Sequence, residues 1–405
     1  EVFDKNIFGI GNELRVGIVY NDMYARPFGY GLEWNYNNIV GTLTDASLQY
    51  YNTHDIQYLR QVFRKEFLTP QIKYGGELDI GWRKDILFDF EPDTIYQNRF
   101  ELKYLDVWLG RSFLLNTKDR RTNIIVGTRY TKNIYPSRPE IAPDTNVYFR
   151  NSDNLLFSLS LKKLNYFKSH KILGFGVIED IPYGFISRIL AGNNMSEFFD
   201  RPYFGVQQSF GKYLEKFGYI WFDSKFGSFW KGGSINELLF NFNVVYYTPL
   251  YDLGRYESRI IAKASYNSGL NYLDNRSLNF FRELRNFDDR ALSGLGSYTL
   301  GIDGILFTPW YLYGFKFAPY AFVDMGLLSD KGFGIENGDI FSSFGIGLRI
   351  RNESLVFNTI SFHFSFIPKQ VRNAPHFYLD ASASRPLLFN DGFDDKPTFN
   401  MFEVN

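Results

Sequence analysis

The sequence predicts an all-β fold, a transmembrane antiparallel β-barrel. One stretch shows why. In Thr359-Ile360-Ser361-Phe362-His363-Phe364-Ser365-Phe366 every second residue is large and apolar, and those between are small or polar. Strand side chains alternate faces with period two, so one face here is greasy and the other wet. The same alternation recurs along the chain, and almost no segment is built to cover the greasy faces. Lipid is the natural cover. Composition agrees: aromatic residues make up 19% of 405 residues, with 43 Phe and 29 Tyr. That excess favours strands and suits the aromatic girdles at the two interfaces of a membrane barrel. No run approaches about 18 consecutive apolar residues, so no transmembrane helix is expected. The slightly negative mean hydropathy does not conflict, because half of each barrel strand faces the lumen.

Charge and cysteine content exclude other classes. Basic and acidic residues balance at 44 against 44, leaving no basic excess to hold nucleic acid. There is no Cys, which rules out disulfides and thiolate–metal sites and is compatible with an oxidising periplasm. The chain opens Glu1-Val2-Phe3-Asp4 without a charged-then-apolar leader, as a mature form or a fragment would.

About eighteen candidate strands follow in order. Asn12–Asn21 places Leu14, Val16, Ile18 and Tyr20 on one face. Tyr30–Asn38 and Thr44–Tyr51 form a hairpin around Val40-Gly41, and Tyr58–Phe67 and Ile72–Trp82 are joined by Leu68-Thr69-Pro70-Gln71. In Arg99–Leu115, Leu105, Val107 and Leu109 face lipid against Asp106, Trp108 and Gly110. Thr122–Tyr130 precedes a polar, Pro-bearing stretch, Pro136–Asn151, expected as a long extracellular loop. Leu155–Tyr166 alternates cleanly, and Ile172–Val177 and Phe185–Leu190 flank an expected turn at Ile178–Gly184. Tyr203–Phe210, Gly218–Phe226, Glu237–Thr248 and Ser258–Asn267 come next. Arg259 and Lys263 share a face, which must point inward, since a charge on the lipid face costs about 2–4 kcal/mol at mid-bilayer. Ser268–Gly296 is a long charged connection. Tyr298–Thr308, Phe315–Met325, Phe344–Arg351, Val356–Phe366 and Phe377–Ser384 complete the wall. Residues 1–384 are thus expected as the barrel, and 385–405 as an appended tail. Closure is expected because lipid cannot satisfy a free sheet edge.

The last third resembles the sixteen-stranded outer-membrane insertase and translocase superfamily, the bacterial surface-antigen barrels. Leu284-Arg285-Asn286-Phe287 stands where that family keeps its Val/Leu-Arg-Gly-Phe/Tyr loop motif. A strand ending Leu306-Phe307-Thr308-Pro309 follows, then Phe322-Val323-Asp324-Met325-Gly326, like the family's aromatic-x-Asp-x-Gly strand. At the front, Asn6-Ile7-Phe8-Gly9-Ile10-Gly11 is similar to an early Asn-aromatic-x-Gly-x-Gly turn. The resemblance implies a barrel of about 16 strands with a long extracellular loop folded inward. It implies that Arg285 pairs with Asp324 inside; Asp303 is a second partner, matched by face parity. Two departures stand out. Asn286 replaces the motif Gly, and no periplasmic POTRA domain precedes the barrel. Only about five residues precede the front turn, where the family has a first strand, which suggests truncation.

Other residues have bland readings. His54, His170, His363 and His376 invite an enzyme or metal reading, and Ser361 and Ser365 flank His363. Same-face neighbours on one strand lie about 7 Å apart, too far for a nucleophile–base hydrogen bond. His363 is therefore expected as a satisfied lumen histidine. No metal or cofactor is expected, because ligands do not cluster. Gly174-Phe175-Gly176 and Gly9-Ile10-Gly11 lack the helix a phosphate-cradling loop requires. The tail carries Phe389, Phe393, Phe399 and Phe402 among acids; it docks on a partner, plugs the periplasmic mouth, or is a disordered end.

The expectation is therefore a multi-pass protein of a Gram-negative outer membrane. By resemblance it acts in protein insertion or translocation and not in bond chemistry. Its partners would be the bilayer and, through the tail, other outer-membrane or periplasmic proteins, with no nucleic acid. The alternative is a non-inserting pore or a scaffold barrel of a larger outer-membrane complex.

Overall fold

The structure, a computed structural model, describes residues 2–7, 9, 11–22, 27–54, 56–91, 94–115, 121–143, 147–172, 178–270, 284–287, 294–334, 338–352, 359–369, 375–383 and 393–400. Twenty-one strands are present among them, with two single-turn 3-10 helices. In chain order the strands are β1 (Val2–Ile7), β2 (Asn12–Tyr20), β3 (Phe28–Tyr36), β4 (Asp45–Asn52), β5 (Gln57–Lys65), β6 (Tyr74–Glu91) and β7 (Thr94–Leu114). Then come β8 (Thr122–Ser137), β9 (Ser152–His170), β10 (Ile178–Ser196), β11 (Asp200–Leu214), β12 (Gly218–Lys231), β13 (Ser234–Tyr247) and β14 (Tyr251–Leu253). The last are β15 (Tyr256–Leu270), β16 (Gly296–Phe307), β17 (Tyr311–Leu312), β18 (Phe315–Ser329), β19 (Asp339–Asn352), β20 (Ile360–Phe366) and β21 (Phe377–Ala383).

All belong to one antiparallel sheet in which each wall strand pairs with the next in sequence. β14 and β17 are hairpin tips lying on β15 and β18, so β13 pairs with β15 and β16 with β18. Nineteen strands therefore make the wall, against an expected sixteen or so. The excess lies at the front, where β1 to β5 are short, six to nine residues each. The described ladders run from β1 to β21, and none among the described residues joins β21 to β1.

The sheet curls strongly. Lys396 reaches Glu77 on β6, while Asn400, four residues later, reaches Leu239 on β13. A segment that short touches both only if the strands between wrap around it. On the concave side, polar residues of the alternating stretches are buried. On the convex side, apolar ones are exposed. β20 reads exposed–buried strictly from Ile360 to Phe366: Phe362 is 43% exposed and Ser361 7%. On β9, Phe157 is 53% exposed and Ser158 6%. Soluble proteins rarely expose apolar patches beyond a few hundred Å². Here Leu109, Val126, Phe157, Leu159, Ile189 and Phe204 continue such a surface across consecutive strands β7 to β11.

One end of the concave side is closed by an apolar layer. Ile181, Ile186, Tyr219, Trp221, Tyr247 and Phe307 pack there with Tyr320 and Phe322. β8 passes to β9, and β15 to β16, at the other end.

Four expectations change. Ile178–Gly184 is not a turn; it is the first half of β10, pairing from Ile178↔His170 through Gly184↔Leu164. Two acids and a proline suggested a turn. However, the β10–β11 ladder begins only at Gly184, so Pro182 lies where the strand is an edge, and proline is tolerated at edges. The expected strand at 172–177 is absent at Ile172, and 173–177 lie outside the described residues. Val2–Ile7 does form a first strand, paired with β2 across a bulge. Asn6 closes the following turn: its carbonyl accepts from Gly9 N at 3.0 Å and its side chain from Gly11 N at 2.9 Å. Both glycines have positive φ, which glycine adopts without strain. Finally, 136–151 is not a wholly polar loop. β8 continues to Ser137, and Phe149 is buried against Phe100 and Tyr135.

Candidate functional site

Leu284–Phe287 lies on the concave wall, and each residue of the motif has a contact there. Leu284 and Phe287 are buried with Leu328, Phe341 and Ile367, and the Phe287 and Phe341 rings lie 4.9 Å apart. These two apolar anchors flank Arg285 and set its direction. Its Nε donates to Asp324 Oδ2 at 2.7 Å and its Nη2 to Asp324 Oδ1 at 2.9 Å. The fork is bidentate, the geometry in which guanidinium and carboxylate match best. Nη2 also donates to Asp303. The guanidinium lies over the Phe322 ring, 3.8 Å from its centroid. Burial works against the charge. The hydrogen bonds and charges of Asp324 and Asp303 outweigh it and hold the Arg285 pKa above its ordinary value.

The two carboxylates come from paired strands. Asp324 on β18 lies opposite Gly301 on β16, and Asp303 lies opposite Phe322. A Cβ at Gly301 would lie 2.9 Å from Asp324 Oδ1, so glycine there leaves the carboxylate room to lean toward the loop. Arg349 on β19 completes the group. Its Nη2 lies 3.4 Å from Asp303 Oδ2, and its guanidinium stands 5.0 Å from the Tyr320 centroid. Sequence reasoning missed Arg349. A signal existed, since Arg349 shares strand parity with Gly345 and Gly347, over which the Phe322 and Tyr320 rings lie.

Asn286 explains one departure from the family pattern. Its φ is 59°, the left-handed region that favours glycine and that asparagine visits more readily than most residues. Its Nδ2 donates to Ser365 Oγ at 2.7 Å. We expect Asn286→Gly to keep the loop in place and Asn286→Ala to strain it by about 1–2 kcal/mol. Protease cutting rates within 271–295 should rank alanine above glycine and wild type; equal rates for alanine and wild type would contradict the strain.

His363 is buried against the Phe322 ring, and its Nε2 lies 3.8 Å from Asp380 Oδ2. Neither ring nitrogen has a hydrogen-bond partner among the described residues. Ser361 and Ser365 share its face, as the alternation predicts. Gly174-Phe175-Gly176 lies outside the described residues.

A second constellation was not legible in the sequence. Residues 393–400 lie against the concave wall. Phe393 is buried in the apolar layer, and Lys162 Nζ donates to its carbonyl at 2.9 Å and to Asp395 Oδ2 at 2.8 Å. Arg188, 2% exposed, donates to the carbonyls of Asp394 at 2.5 Å and Lys396 at 3.2 Å. Arg129 holds Asp106 through two 2.8 Å bonds and donates to Pro397 O at 2.8 Å. Lys396 Nζ inserts between Glu77 and Asp106, 2.7 Å from the latter. Phe399 packs between Tyr203 and Phe229, and Asn400 N donates to Tyr203 Oη at 2.8 Å. Of the expected tail 385–405, this is the described part.

Several solved structures are similar to the chain. BamA from Haemophilus ducreyi lacking POTRA domains 1–3 is 12% identical with a TM-score of 0.48, covering 92% of this chain and 70% of that one. CdiB from Escherichia coli is 11% identical with a TM-score of 0.44, covering 91% and 61%. The alcaligin outer-membrane receptor FauA from Bordetella pertussis is 11% identical with a TM-score of 0.40, covering 91% and 64%. No family model matches the chain, and no curated protein matches it.

Proposed function

We propose that the curled sheet is a transmembrane β-barrel of a Gram-negative outer membrane, acting in the assembly or translocation of proteins there. One observation carries the membrane reading: the convex face is apolar strand after strand while the concave face is polar and buried. A closed wall in lipid has this inverted order of faces. The end with the apolar layer is then periplasmic, and the end where β15 passes to β16 is extracellular. The seam between β1 and β21, the shortest wall strands at either end, is where an incoming strand would pair by backbone hydrogen bonds. The chain itself performs no bond chemistry in this reading. A scaffold subunit of a larger outer-membrane complex is the second reading. It is favoured by the segment 393–400, which occupies the concave side where a pore would run.

Cysteine placed singly at Phe362 and Ser361 tests the membrane reading. In intact membranes a water-soluble thiol reagent should label Ser361→Cys and leave Phe362→Cys unmodified. Comparable labelling of both removes lipid from the convex face. The protein-assembly reading needs its own test. Vesicles holding this protein should accelerate the folding of an added outer-membrane barrel substrate over empty vesicles; equal rates favour the scaffold.

A further inference from the structure

We propose that the concave wall from β6 to β13 is a binding groove for a polypeptide segment, and that residues 393–400 are its resident, displaceable occupant. The wall contacts the main chain of that segment as much as its side chains. Lys162, Arg188 and Arg129 donate to four successive or near-successive carbonyls, those of Phe393, Asp394, Lys396 and Pro397. Tyr203 Oη accepts from Asn400 N, and Leu239 O accepts from Asn400 Nδ2 at 3.2 Å. Recognition of main-chain carbonyls is available to any extended chain, as in strand addition at a sheet edge.

Arg188 is the most telling wall residue. Its other partners are Ser160 Oγ at 2.9 Å and Gln207 Oε1 at 3.1 Å, both neutral. A guanidinium this buried is costly unless its donors are filled. Two of the acceptors that fill them come from the bound segment. Selectivity comes from three further places. Phe393 enters the apolar layer, Phe399 enters the slot between Tyr203 and Phe229, and the cation of Lys396 sits between Glu77 and Asp106. The preferred ligand is therefore a segment with two aromatic anchors six residues apart and a cation midway, flanked by acid that Lys162 can pair. An occupant tethered to its own groove has an effective concentration in the millimolar range. A free segment binds appreciably only when the resident is loosened.

The groove depends on the barrel reading only for its position inside a membrane wall, and the test is independent of it. A fluorescent peptide with the sequence of residues 393–400 is titrated by anisotropy against the full-length protein in detergent. Wild type is compared with Lys396→Glu/Phe399→Ala, whose own segment is weakened. The peptide should bind the double variant at least about tenfold more tightly than wild type. The same peptide carrying Lys396→Glu should bind neither. Equal binding to the two proteins, no binding to the variant, or undiminished binding of the altered peptide each overturns the proposal. If the double variant does not fold, as read by heat-modifiable mobility on gels, Phe399→Ala alone serves, since it leaves every ion pair in place and should show a smaller rise. Failure of the cysteine-labelling pattern would remove the membrane reading and leave this result untouched.

Discussion

Lys396→Glu should free residues 393–400 from the wall while the sheet stays folded. In the native protein the ammonium lies between Glu77 and Asp106, and all three side chains are largely shielded from water. Each carboxylate keeps a cation after the change, Arg64 for Glu77 and Arg129 for Asp106. Neutralising the lysine, as in Lys396→Met, is therefore the milder change. Reversal sets a third carboxylate against two others at hydrogen-bond distance. Breaking a buried pair costs about 3–5 kcal/mol, and the two remaining cations place this case at the lower end. About 3 kcal/mol corresponds to roughly a hundredfold change in the docked population. The backbone ladders do not involve the segment, so heat-modifiable mobility should persist. Cutting within 393–400 by an added protease, followed by mass spectrometry, should accelerate by that order in Lys396→Glu and far less in Lys396→Met. Equal protection in all three proteins would show that the ion pairs do not hold the segment.

Much of the wall could be read from alternation alone, because a period-two pattern leaves little choice of face. The polar and apolar sides of β20 and β9 follow directly from their residues, as do Asp106 and Trp108 inward against Leu109 outward. Ladder ends were harder. β6, β7 and β10 extend well past their alternating cores, since a neighbour's backbone sustains pairing where side chains no longer signal it. Pro182 misled because a proline argues against a strand only where both neighbouring strands would pair, and here one side is an edge. The partners of Arg285 were available through the resemblance, which implied Asp324, and through face parity, which offered Asp303. Arg349 left only the parity it shares with Gly345 and Gly347, because it meets Asp303 across β18 and no spacing between the two encodes that. The docking of 393–400 was the least legible. Its Phe-Asp-Asp-Lys-Pro sequence resembles a solvated end, and its partners lie 161 to 319 positions away. Only the curl of the sheet brings them together.

The Arg285 site should respond asymmetrically to mutation, with Arg285→Ala the more damaging single change. Removing the guanidinium leaves Asp324 without the fork it accepts, while Asp303 keeps Arg349. Removing the carboxylate in Asp324→Ala leaves Arg285 still bonded to Asp303 and still over the Phe322 ring. The first case approaches the cost of unpairing a buried ion pair, about 3–5 kcal/mol, reduced if water enters the concave side. The second loses hydrogen bonds to a charged group, about 1.5–3 kcal/mol. Because both substitutions delete the same contact, the double mutant should be little worse than Arg285→Ala, with a coupling of about 0.5–3 kcal/mol. The loss falls on the loop and not on the wall. Leu284 and Phe287 remain buried against Leu328, Phe341 and Ile367, so the segment stays tethered but samples more positions. Protease cutting in 271–295 and the rate of assisted folding in vesicles are the two measurements. Loop cutting should rise in the order wild type, Asp324→Ala, Arg285→Ala, with the double mutant level with the last. Additive effects would show that the two residues act separately. A loop that loosens without any change in assisted folding would make the site structural, and would detach it from the proposed activity.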